Sequence, residues 1–110
     1  MPWRSLLPGK ELDDLDFHIK ENSCLAWVAA KKLKAHSVAI VLGKTIHLYN
    51  STRVDFLQDK KWLSHELCHL RQFKQYGFVG FIVRYLLESF RHGYYYNRFE
   101  IEAREAEGSS

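Results

Sequence analysis

The chain has 110 residues and a formal net charge of +3, from 16 Lys and Arg against 13 Asp and Glu. That length suits one domain whose modest core needs no disulfide scaffold, and 46% hydrophobic with 15% aromatic residues exclude a disordered chain. The near balance of charge argues against a nucleic-acid binder, and two cysteines, Cys24 and Cys68, are too few for a disulfide framework.

Residues 1–20 read as an N-terminal arm, with both prolines in the first ten, and residues 21–110 as a single domain. The arm has no apolar run of signal-peptide length, and reduced thiols suit a cytoplasmic protein. Residues 22–35 have helical periodicity, with Leu25, Val28, Ala29 and Leu33 as the expected buried stripe, Asn22 or Ser23 as cap, and Lys31, Lys32 and Lys34 as a solvated end. Two β-branched runs follow, Ser37–Leu42 and Thr45–Asn50, and Gly43-Lys44 between them makes a hairpin. Ser51–Gln58 reads as a connection. A helix is expected from Asp59, as N-cap, to a stop at Gly77, with Trp62, Leu63, Leu67, Leu70 and Phe73 at helical spacings. A second runs from Val79 to Phe90. Its apolar stretch, Phe78 to Leu87, holds Arg84 and is too short to span a bilayer, so it is expected as a core helix, with no membrane span. Gly93-Tyr94-Tyr95-Tyr96 makes a break, and a last helix runs to Glu107 from an Asn97 cap. The outcome expected of this order is α+β, with a short hairpin sheet carrying helices on one face.

The chemistry sits in His65-Glu66-Leu67-Cys68-His69, a His-Glu-x-x-His pattern on the longest helix. Residues four apart differ by about 40° in direction and about 6 Å in height, so both imidazoles leave one face and can hold one zinc ion. Glu66 points about 100° away from His65, from where a carboxylate reaches a metal-bound water without itself being a ligand. Cys68 flanks this face and reads as a packing residue.

Catalytic zinc needs three protein ligands and an open position. By residue type the third is His18, His36, His47, His92, Glu100, Glu102 or Glu105. Nothing after His69 supplies a His-x-x-Gly-x-x-His extension, which favours a downstream glutamate, either Glu88 or one of the last four.

Leu63-Ser64-His65-Glu66-Leu67-Cys68-His69-Leu70-Arg71-Gln72 resembles the active-site helix of gluzincins, and more closely that of small zincin-like domains carrying His-Glu-Leu-x-His-x-x-Gln. The resemblance covers roughly residues 37–107 and implies a minimal zincin-like fold, the sheet packed on the active-site helix with two or three further helices. In that family a later Glu-x-x-Ala-Asp motif opens with the third ligand. Glu100-Ile101-Glu102-Ala103-Arg104 matches it except at Arg104, so the resemblance implies Glu100 as ligand, with Glu102 the ligand if the register slips. The missing Asp leaves the partner of a metal histidine to Asp55, Glu102, Glu105 or a carbonyl, and Gln72 is a further supporting group.

The expected function is a zinc-dependent metallopeptidase acting on a peptide or protein substrate, with Glu66 as general base and zinc polarising the carbonyl. Tyr94, Tyr95, Tyr96 or His92 would supply a second oxyanion donor. The alternative is a non-proteolytic zinc-binding module within a larger assembly, its fourth metal position filled by Cys68 or His47.

Overall fold

A computed structural model describes residues 17–108; most of the expected arm, residues 1–16, lies outside the described residues. Three strands, β1 (His18–Lys20), β2 (Val38–Leu42) and β3 (Thr45–Tyr49), form a mixed sheet. Five helices accompany it: α1 (Cys24–Leu33), α2 (Arg53–Gln58), α3 (Lys60–Tyr76), α4 (Phe78–His92) and α5 (Arg98–Glu107). The architecture is α+β.

The sheet order is β1-β3-β2. β2 and β3 form the expected antiparallel hairpin, with Leu42 opposite Thr45. Gly43, at φ +63°, takes the positive-φ place of a two-residue turn. A Cβ there would come within 3.3 Å of the Phe78 ring, so the turn also packs on the start of α4. β1 was not expected. It pairs in parallel with β3, His18 opposite Thr45, and adds a strand from the end of the segment read as an arm.

Strand periodicity divides the sheet into two faces. Ile46, Leu48 and Val41 pack with Leu63, Leu67, Leu70 and Phe73 of α3, Phe56 of α2, Phe81 of α4 and Phe99 of α5, forming the main core. Val38 on the other face meets Ala26 and Ala30 of α1. Helices therefore cover both faces, where one was expected. The stripe expected in α1 is also corrected. Leu25, Val28 and Leu33 are exposed, and the buried positions are Ala26 and Ala30. The small alanines let α1 lie close to the sheet, and the larger side chains stay at its margins.

Helix caps follow the sequence closely. Ser23 caps α1, Asp59 accepts from Trp62 N at 3.1 Å to start α3, and Asn97 accepts from Phe99 N at 2.8 Å to start α5. Helix α2, in the stretch read as a connection, starts on a Thr52 cap that accepts from Asp55 N. Helix α4 is not the expected core helix. Phe81 is its one buried residue, while Val79, Val83, Leu86, Leu87 and Phe90 face outward. No helix among the described residues is long and apolar enough to cross a membrane.

Candidate metal centre

Helix α3 turns its Leu63, Leu67 and Leu70 side toward the core, and α5 packs along it. The His65 and His69 rings stand one turn apart on α3, 5.0 Å between centroids. Helix α5 brings Glu100 to them. The Nε2 atoms of His65 and His69 each lie 3.2 Å from the same oxygen, Glu100 Oε1. The three ligand atoms lie within 4.8 Å of one another, making a group that can hold a metal ion. A tetrahedral zinc with bonds of about 2.0–2.1 Å has ligand–ligand edges of about 3.3–3.4 Å. The two observed nitrogen–oxygen edges are close to that length.

The supporting hydrogen bonds fix what each ring presents. Gln72 Nε2 donates to Phe99 O at 3.1 Å and to Glu102 Oε1 at 2.9 Å, which turns its Oε1 toward His69 Nδ1 at 2.8 Å. His69 must donate from Nδ1, leaving the Nε2 lone pair facing Glu100. His65 Nδ1 meets Glu107 Oε2 at 2.6 Å. Each imidazole is thus bracketed by acceptors on both nitrogens. Only an added proton or a cation between Nε2 and Glu100 removes that clash. Tyr85 of α4 donates its hydroxyl to the other Glu100 oxygen at 2.6 Å.

The electrostatics are those of a tightly coupled cluster. Burial disfavours a charged His65, but the Glu100 hydrogen bond, the Glu66 charge and Glu107 outweigh it, raising its pKa to about 9. Burial likewise opposes charge on His69, and Glu100 again drives its pKa upward. Burial would raise Glu100, yet hydrogen bonds from His65, His69 and Tyr85 hold it well below the usual carboxylate range. Glu66 is buried beside them. Burial pushes its carboxyl up to about 7 against the pull of both histidines. It is not one of the three grouped ligand residues.

The other residues singled out in the sequence fall into separate places. Tyr94 reaches the cluster: burial first, then the Glu100 and Glu66 charges, lift its hydroxyl to about 12. Tyr95 and Tyr96 are exposed, with Tyr95 under the Arg104 guanidinium and Tyr96 edge-on to it. Arg104, which departs from the Glu-x-x-Ala-Asp pattern, also donates to the Tyr95 carbonyl. Glu102 supports the site through Gln72 and also accepts from Cys68 Sγ at 3.6 Å. Cys68 is a buried free thiol, its pKa raised to about 12 by burial and then by Glu102. His47 pairs with Ser23 at 2.9 Å and His36 with Asn50 at 3.0 Å, while His92 is exposed. Glu88 accepts from Arg98 N.

Of two further residues of the site, Glu107 was counted in the sequence only among the last four glutamates as a possible ligand, and Tyr85 was not singled out. Glu107 lies seven positions after Glu100, within about 20° of the same helix face, a spacing that signals a shared surface. Tyr85 lies four after Phe81 on the inward side of α4, and only packing shows where its hydroxyl points. No family model, curated protein or solved structure matches the chain.

Proposed function

We propose that the protein is a zinc-dependent metallopeptidase of the His-Glu-x-x-His kind, with His65, His69 and Glu100 as ligands. The observation that carries this reading is the convergence of both Nε2 atoms on one Glu100 oxygen, with Glu66 buried alongside. Two nitrogens and one carboxylate are the donor set of a catalytic zinc site. When bound there, zinc polarises the scissile carbonyl and lowers the pKa of water to about 7.

The chain's own groups supply the rest. Glu66 takes the proton of the attacking water and passes it to the leaving amine. A carboxyl whose burial has already raised its pKa toward neutrality suits both steps. Tyr94 offers a hydroxyl to the developing oxyanion. Gln72 and Glu107 hold the histidine rings from behind, and Tyr85 holds Glu100. β2 lies at the sheet edge and packs beside α3, so an extended peptide can add to it as a strand. Engagement of Cys68 with Glu102 and of His47 with Ser23 weighs against a closed, four-ligand structural site.

Purified wild type is expected to carry about one zinc and to cleave members of a broad peptide library. Glu66→Gln should keep the zinc and lose about 10²-fold or more in cleavage. A wild type that binds zinc but cleaves nothing would favour the non-proteolytic module.

A further inference from the structure

Helix α4 divides its labour. Its inner face gives Phe81 to the core and Tyr85 to Glu100. Its outer face carries Val79, Val83, Leu86 and Phe90 at intervals of four, three and four residues, one continuous stripe. The stripe is well exposed: Val79 71%, Leu86 61% and Phe90 89%. Scattered apolar residues are ordinary on a surface, but a contiguous helical stripe marks an interaction site.

The surroundings of the stripe indicate its partner. Arg84 and Arg91 lie about 120° round the helix from it, and with Arg98 they line a shallow groove beside Leu87 and Glu88. Arg84 lies over the Tyr76 ring and Arg98 over the Phe99 ring, while the Glu88 carboxylate accepts from the Arg98 backbone. The groove is thus lined by three arginines and one carboxylate. Exposed Tyr95 and Tyr96 follow shortly after the helix.

We propose that the outer face of α4 lies on an anionic phospholipid surface. Its apolar stripe would enter the boundary of the acyl chains, with Arg84, Arg91 and Arg98 on phosphates and the tyrosines at headgroup level. With 15 residues, α4 lies on a bilayer and does not cross it. A second copy fits less well, because a stripe about 17 Å long and about 10 Å wide falls well short of the ~800 Å² a side of a stable dimer.

The test is cosedimentation of the full chain with phosphatidylcholine vesicles, with and without phosphatidylserine. The protein should pellet with the phosphatidylserine vesicles and release as salt rises. Phe90→Ser or Leu86→Ser should cut binding by at least about tenfold. Arg84→Ser combined with Arg91→Ser should cut it by about 25-fold, about fivefold for each charge. All four side chains are exposed, so melting temperatures should stay within a few degrees of wild type, the Arg84 contact with Tyr76 included, and binding losses will not reflect unfolding. Three results would overturn the proposal: failure to pellet with phosphatidylserine, equal binding to phosphatidylcholine alone, or a dimer in sedimentation that Leu86→Ser dissolves. Competition by inorganic phosphate, with Phe90→Ser binding as wild type, would reduce the face to an anion site and also overturn it. None of these readouts depends on a metal.

Discussion

At the scale of single residues, acceptors decide the behaviour of the candidate metal centre. With Gln72 fixing His69 Nδ1 as a donor and Glu107 set against His65 Nδ1, the metal-free cluster holds its positive charge as protons. The His65 pKa rises from 6.5 to about 9, so that ring stabilises the fold fully below pH 6.5, and the contribution is lost as pH climbs through 9. Glu66 moves in the same direction: raised from 4.5 to about 7, it favours the protonated folded state, and stability falls as pH passes from 4.5 through 7. Glu100, depressed, adds stability that is present above 4.5 and lost only as pH falls through its lowered folded value. The metal-free protein should therefore lose melting temperature between pH 6.5 and 9, and His65→Ala should flatten that slope. Zinc affinity should show the opposite sign, rising with pH as the rings give up protons. A second expectation concerns the groups behind the ligands. Tyr85→Phe and Glu107→Ala should each weaken zinc by about 10- to 100-fold in competition with a chelator, the usual cost of losing such a support. Unchanged affinity in both would mean the ligands are held by packing alone.

At the scale of elements, Asn97 ties the site together. It is fully buried, caps α5 through Phe99 N, and donates to Tyr85 O at 3.0 Å and Ser89 Oγ at 2.9 Å. It therefore joins α5, which carries Glu100, to α4, which carries Tyr85. Asn97→Ala should cost about 2–3 kcal/mol in urea denaturation, from the lost cap and the lost hydrogen bonds to Tyr85 O and Ser89 Oγ. Because Glu100 lies three residues on, zinc affinity should fall as well. The sequence made Asn97 legible as a cap, along with Ser23 and Asp59, because capping is local chemistry. The hairpin was legible for the same reason, with Gly43-Lys44 between β-branched runs. β1 was not: its three residues gain their structure by pairing with β3 across the intervening α1 and β2, and nothing within His18–Lys20 announces that partner. Helix α2 is only six residues, too short for a period to show. In α1 and α4 the apolar pattern identified helices but not their buried sides, since burial depends on what packs against them. In the site, His65, Glu66 and His69 follow from spacing on one helix. Glu100 needed the resemblance to separate it from Glu102, and Tyr85 needed the fold.

At the scale of the whole molecule, the candidate ligands join the two helices whose packing closes the core. His65 and His69 sit on α3 and Glu100 on α5, and Phe99, beside Glu100, is buried against Phe81. A metal bridging them clamps the fold, so zinc binding should appear as stability. At free zinc near a thousand times the dissociation constant, stabilisation should approach about 4 kcal/mol. Thermal melts with and without a chelator measure it, and His65→Ala should show no difference between the two. If a chelator leaves the wild-type melting temperature unchanged, no metal clamps these helices.

The most direct measurement is a crystal structure of the zinc-loaded protein with anomalous data at the zinc edge. One peak is expected, about 2.0–2.1 Å from the Nε2 atoms of His65 and His69 and about 2.0–2.2 Å from a Glu100 oxygen, with Glu66 beside it and not bonded to it. A peak coordinated by Glu102 with Glu100 turned away would overturn the ligand assignment. A crystal grown with zinc that shows no peak between His65 and His69 would contradict the account itself.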